Sequence, residues 1–413
     1  MLKYTILLVL VALAHTDDTT DEGKNGAKLQ QEPCIIDVTV NADQQPLVVN
    51  ANFSFPRPTD LGNPSIEFAP GAQFWIACPG GEFTDDLNAN GELMTCQGDT
   101  NITTTNGQVF DYNTILCNQN ETGIPILYDY IHNSEGCEGG NTLIDVGYVI
   151  DITFLPVHSI CFDIDTLTPL YTKEKLTPWA ALSKIPGPNA FVVSTIYGEI
   201  NIENLYVNIN NALAYLGFDS DNILTKGQLA PSGDFLYKSQ KDATFYYPNV
   251  APQWKSINEG NWAIVNEVIA NLTYQNATDA VVINGVLNVL NVKQNGVMAP
   301  LYLLPGTLQI PVPEFFWKLV YYPEELKELF FFGLNHPNPD AELLGKFTEE
   351  ICGEDLFSIH QHAWGLDAVN NNDSSLGIIY ICNGYYLNDP LIKEIAENEE
   401  RKMYGVTASE VSG

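Results

Sequence analysis

Two patterns of apolar and polar positions divide the chain. From Cys34 to about Ile160, short β-branched and aromatic runs (Ile35–Val40, Phe74–Ala77, Gly123–Tyr130, Val146–Phe154) alternate with clusters of Gly, Asn and Asp. Runs of this length bounded by turn formers predict strands, and no amphipathic helix interrupts them. Beyond Thr166 the period lengthens. Pro178–Lys184 and Ile202–Leu216 carry apolar residues at helical spacing, Trp262–Tyr274 does so more strongly, and Asp279–Leu290 and Val312–Tyr322 return to β-like runs. After a polar connection at Pro337–Asp340, Ala341–Cys352 again looks helical, and the carboxy-terminal end is acidic and helix-forming. The expected organisation is a β-rich region over residues 34–165, a mixed α+β region over 170–390 and an acidic tail over 391–413.

The amino terminus stands apart from both patterns. Lys3 precedes an unbroken apolar run from Ile6 to Ala14, polar His15, Thr16, Asp17 and Asp18 follow, and Ala12 and Ala14 supply small residues for a cleavage site. This predicts a secretory signal peptide over residues 1–14, too short for a membrane span of about 20 residues. Residues 15–33 then read as a polar tail. The mature protein is expected to be secreted, with no membrane partner.

Cysteine usage agrees with that destination. Eight cysteines, an even count after a secretory signal, read as disulfides, and none has the C-x-x-C spacing of a zinc site. The simplest partition puts one bridge between Cys352 and Cys382 and three among Cys34, Cys78, Cys96, Cys117, Cys137 and Cys161, for which fifteen pairings are open. Sequons at Asn52, Asn101, Asn120, Asn271, Asn276 and Asn372 are compatible with glycosylation.

Charge at first argues against a nucleic-acid partner. With 18 Lys+Arg against 51 Asp+Glu the formal charge is −33, while 45% apolar residues are enough to build a core and exclude a disordered chain. The acidity is not evenly spread. Residues 29–172 hold 19 acids and Arg57 as their one base, whereas the window 223–260 holds Lys226, Lys238, Lys241 and Lys255 against three acids. Nucleic-acid contact is therefore to be sought in that window.

The same window carries two blocks: Thr225-Lys226-Gly227-Gln228-Leu229-Ala230-Pro231-Ser232-Gly233-Asp234, and Asn249-Val250-Ala251-Pro252-Gln253-Trp254 continuing through Asn258 and Trp262. Together they resemble the signature of the secreted DNA/RNA non-specific endonucleases, whose first block reads Arg-Gly-His-Leu-x-Pro and whose second reads Asn-x-Ala-Pro-Gln, then Asn-x-x-x-Trp-x-x-Leu-Glu. A third block, Ile310 to Lys318, is similar to a characteristic strand of the insect secreted double-stranded-RNA nucleases. The resemblance covers about residues 175–385. It implies an α+β, ββα-metal (His-Me finger) fold in which a His takes a proton from water, an Asn holds one Mg²⁺, and an Arg and a Glu support the metal and phosphate.

Set on that pattern, the chain keeps the scaffold and departs at the chemistry. Gln228 stands at the general-base position, and a neutral amide accepts no proton at neutral pH. Loss of a general base costs about 10²–10⁴ in rate. Lys226 stands at the Arg position, which forfeits bidentate phosphate geometry, and Asn266 stands at the Glu position, with Glu267 about 100° further round a helix. Asn258 remains as the Mg²⁺ ligand, a role the other changes leave open to loss. Within the family the resemblance extends to the salivary Tsal proteins of blood-feeding flies, which bind nucleic acids with damaged active sites.

The expected function is low-specificity binding of double-stranded DNA or RNA through Lys226, Gln228, Lys238, Lys241, Asn249 and Lys255, with little or no hydrolysis. A slow Mg²⁺-dependent endonuclease and an extracellular protein-interaction module are the alternatives. Two further motifs read as structure. His360 and His362 lack a third metal ligand, and Asp86–Gly91 opens like a calcium loop but meets Gln97 where the bidentate Glu belongs. Tyr246 and Tyr247 suit either base stacking or core packing.

Overall fold

The computed structural model describes residues 32–39, 44–118, 128–188, 190–215, 222–294, 296–325, 327–347, 351–382 and 389–403. The expected signal peptide, most of the expected polar tail, the sequon at Asn120 and the last ten residues lie outside them.

The first region builds a five-stranded antiparallel sheet from β1 (Leu47–Asn50), β2 (Gln73–Ala77), β3 (Glu92–Gly98), β4 (Asn101–Thr104) and β5 (Val109–Asp111). Cys34–Cys96 and Cys78–Cys117 close its loops. The chain then enters β6 (Tyr128–Cys137), β7 (Asn141–Ile150), β8 (Thr153–Asp163) and β9 (Thr168–Leu176). The run Val146–Phe154, expected as one strand, is two. Asp151 takes φ 54 and Ile152 is 90% exposed, so a tight turn splits the apolar run. Asp tolerates the left-handed conformation that such a turn needs.

Helix α1 (Ile202–Tyr215) follows, then β10 (Leu224–Gln228), helix α2 (Lys238–Thr244), β11 (Val250–Trp254), a one-turn helix α3 (Lys255–Asn258) and α4 (Asn261–Asn276). Strands β12 (Ala280–Val289), β13 (Pro313–Tyr322), β14 (Lys327–Leu334) and β15 (Ile378–Cys382) and helix α5 (Pro390–Met403) complete the frame. Pro178–Lys184 forms only a short 3₁₀ turn, Pro178–Leu182.

Eight strands make one antiparallel sheet in the order β6-β7-β8-β9-β12-β13-β14-β15. It draws strands from both sides of the change of pattern near Thr166. Every residue of β13 is buried, because both faces of the sheet are covered. On one face lie Trp262, Val265 and Ile269 of α4, whose spacing sets an apolar stripe against Phe316, Val320 and Tyr322. On the other lie Ile392 and Ile395 of α5 beside Trp317, Leu319 and Tyr321. Cys137–Cys161 ties β6 to β8, and Cys352–Cys382 anchors β15.

The five-stranded sheet is bound to this body through its own core. Leu236 and Tyr237, just before α2, are buried among Phe74, Ile76 and Ile102, and the Tyr237 hydroxyl donates to Pro56 O at 2.5 Å. Arg57 pairs with Asp279 and lies over the Trp179 ring, and the same Asp279 accepts from Lys175 at 2.7 Å.

Candidate functional site

Strands β10 and β11 form a two-stranded antiparallel ribbon, a long-looped hairpin that carries α2 in its connection, with Gln228 opposite Val250 and Gly227 opposite Ala251. Gly227 is required there. A Cβ at this position would sit 2.5 Å from Gln253 Oε1 and 2.7 Å from Gln253 Cβ, so any side chain would displace the buried Gln253. Side chains alternate along β10, which sends Lys226 and Gln228 to one face and Thr225 to the other.

Gln228 is half-buried and its amide is engaged. Nε2 donates to Thr244 O and Thr244 Oγ1, both at 3.0 Å, and Oε1 accepts from Ser232 N at 3.4 Å. Asn249 continues this network. Its Oδ1 accepts from Ala230 N at 2.9 Å, and its Nδ2 donates to Ala230 O at 2.9 Å and Thr244 O at 2.8 Å. With no exposed surface, Asn249 is a staple between the loop after β10 and the end of α2, not a ligand contact. Asn249→Ala strands the buried Ala230 N and Ala230 O, while Thr244 O keeps its bond from Gln228, and is expected to cost about 2–3 kcal/mol in chemical denaturation.

The four lysines of the basic window are differently placed. Lys241 is 3% exposed, donates to Ser232 O at 3.0 Å, and is lowered by burial to about 8 against the pull of Asp234. Burial takes it out of reach of a ligand, contrary to the expectation from the sequence. Lys238 is paired with Asp242 one turn along α2. Lys255, at the start of α3, is half-buried and has no ion pair among the described residues. Lys226 Nζ lies 2.6 Å from Glu203 Oε2 of α1 and faces the rings of Phe191, Tyr206 and Tyr247 at 5.2, 5.9 and 5.6 Å.

Asn258 ends α3 instead of opening the long helix. Gly260, whose Cβ would collide with Ser256 O at 2.3 Å, separates α3 from α4, which carries Asn266. Asn258 reaches Thr225 Oγ1 at 3.4 Å, on the hairpin face away from Gln228. A resident Mg²⁺ calls for an octahedral oxygen shell, commonly including one or two carboxylates. Asn258 offers a single neutral oxygen, the Glu position is Asn266, and no group of three acids, His or Cys gathers among the described residues. The metal-ligand position of the family pattern is thus kept at Asn258, while the carboxylate that would support it is missing at Asn266.

Behind the hairpin lies a buried polar cluster. Thr172, Asn284 and Lys318 stand opposite one another across β9, β12 and β13, and Asp234, from the loop after β10, meets Lys318 Nζ at 3.5 Å. Asp234 and Lys318 are each 1% exposed. Glu174 accepts from Asn284 Nδ2 at 2.6 Å. Burial pushes both carboxyls up, Glu174 well above its usual range, while Lys318 pulls both down.

Other sequence motifs settle as structure. Tyr246 and Tyr247 are 3% and 2% exposed and pack in the core, so they are not placed to stack on bases. His362 pairs with Asp367 and His360 stacks on Trp364. The Asp86 segment is a turn closed by Gly91 N to Asn88 O. Thr244 and Glu203, the partners of Gln228 and Lys226, were not singled out from the sequence. Glu203 lies on the polar face of an expected helix, which marks it as no more than a solvated charge.

A ββα arrangement of hairpin and helix, set against an antiparallel sheet, defines the class. Residues 139–342 match the model of the DNA/RNA non-specific endonucleases, so that stretch of the chain is similar to this family. Its relatives are of a salivary type. It is 29% identical over 76% of its length to a salivary endonuclease of Lutzomyia longipalpis, covering 74% of that protein. It is 22% identical over 67% of its length to salivary protein Tsal1 of Glossina morsitans morsitans, covering 75% of it. A salivary endonuclease of Culex quinquefasciatus matches at 24% over 55% of this chain and 59% of that protein. No helix among the described residues is long and apolar enough to cross a membrane.

Proposed function

We propose that this protein is a secreted nucleic-acid-binding protein of low sequence specificity, with little or no nuclease activity. The observation that carries the reading is Gln228. A general base must take a proton from water, and position 228 holds a carboxamide whose atoms are committed to Thr244 and Ser232. The lack of a carboxylate at Asn266 points the same way. Salivary relatives support secretion, and the family supports a nucleic-acid ligand.

Lys226 and Lys255 supply the phosphate contacts, with Lys238 available when it leaves Asp242. With so few cations, binding of duplex is expected to be weak and to fall with salt along a log–log slope of about −2. Anisotropy of labelled DNA and RNA duplexes over a salt series measures it, with plasmid nicking in Mg²⁺ and in chelator assayed alongside. Absence of any binding at low salt refutes the proposal. Chelator-sensitive nicking abolished by Asn258→Ala would replace it with a slow Mg²⁺-dependent endonuclease.

A further inference from the structure

Lys226 is the best-placed cation of the hairpin, and it already has an anion. Glu203 Oε2 lies 2.6 Å from its Nζ, and the Tyr247 hydroxyl donates to the same carboxylate oxygen. The two side chains are not equally covered. Lys226 is 21% exposed and Glu203 61%, so the carboxylate stands on the solvent side of the ammonium. Both line an open recess of about 370 Å³ with Phe191, Tyr206, Asn210 and Thr225. Three aromatic rings surround the stem and head of Lys226, which leaves the Glu203 side as its polar approach.

We infer that Glu203 occupies the seat of a phosphate on Lys226, so that this carboxylate sets the affinity of the hairpin for nucleic acid. This rests on the reading of Lys226 as a phosphate contact. A phosphodiester and a carboxylate are both oxyanions that accept from an ammonium at about 2.7–2.9 Å, and one Nζ enclosed by rings on its remaining sides serves one of them at a time. An incoming strand must therefore displace Glu203 and also approach its negative charge. Lys226 and Tyr247 hold the Glu203 carboxyl below its usual range, so the competing anion persists through neutral pH. The recess is wide enough for a backbone phosphate once α1 releases the side chain.

Glu203→Gln tests this directly, since it keeps the shape and removes the charge. Anisotropy with a fluorescent 30-base-pair duplex, using the full secreted chain, is expected to show about three- to tenfold tighter binding at low salt. The log–log salt slope should stay near the parent's, because Lys226 meets the same phosphate in both and Glu203 changes only the affinity. In a Lys226→Met background the same substitution should produce no gain. Thermal melting of each variant confirms folding, and Glu203→Ala provides a second removal of the charge. If the parent binds duplex and neither Glu203 variant tightens it, or the gain persists in Lys226→Met, the inference is overturned while the binding function stands. If neither parent nor variants bind, both fall together.

Discussion

Replacing Lys318 with Met is expected to destabilise the protein by about 3–5 kcal/mol, because it leaves Asp234 and Glu174 buried without their shared cation. Met preserves most of the volume, so the loss reports charge and not packing. Against a total stability of about 5–15 kcal/mol, a change of that size moves the melting transition by on the order of 10 °C. The sign of the pH dependence follows from the raised carboxyls. A buried acid with a raised folded value contributes stability that is present below its unfolded value and lost as pH rises through the folded one. Removing Lys318 raises those folded values further. The variant should therefore lie closest to the parent at mildly acidic pH and fall behind progressively towards pH 8, as followed by thermal melting. Equal destabilisation at both ends of that range would show that the cluster is not electrostatically coupled.

The double variant Gln228→His, Asn266→Glu is expected to gain Mg²⁺-dependent nicking of plasmid by about 10²–10⁴ over the parent, the usual worth of a positioned general base. Gln228→His alone should gain less. Thr244 O and Oγ1 now accept from the Gln228 amide at 3.0 Å, and an imidazole N–H in the same place would keep one of those bonds. That leaves the other nitrogen as the base, with no carboxylate at position 266 to support metal-bound water. Initial nicking rates with and without chelator separate the contributions. If the double variant stays as inert as the parent while remaining folded, more than these two positions separates this chain from catalysis.

Much of this site was legible because it is written in contiguous blocks. The resemblance of Lys226–Pro231 and Asn249–Trp262 implied a ββα arrangement, and the expected helix Trp262–Tyr274 lies inside Asn261–Asn276. The helix at Ile202–Leu216 is seen as Ile202–Tyr215, since its apolar spacing had a single reading. Residue type did not disclose occupancy. Lys241 and Asn249 look like contacts in a string of letters, yet both are buried and bonded to backbone carbonyls of their own loop. The ion pair of Lys226 with Glu203 spans 23 residues and depends on which face of α1 meets the hairpin. Strand partnership was hidden for the same reason. The compositional change near Thr166 does not interrupt the eight-stranded sheet, because the backbone hydrogen bonds that join strands do not depend on the side chains they carry.

Leu236 and Tyr237 have a bearing on how this lineage can be rearranged. They leave the loop that follows Gln228 and end inside the core of the acidic five-stranded sheet. Trimming the chain at residue 165 would strip β6, β7 and β8 from the large sheet and strand those two side chains in water. The endonuclease-like half is thus not a cassette that recombination can lift out and graft elsewhere. Its core is continuous with that of its acidic companion, so the two are expected to fold as one unit.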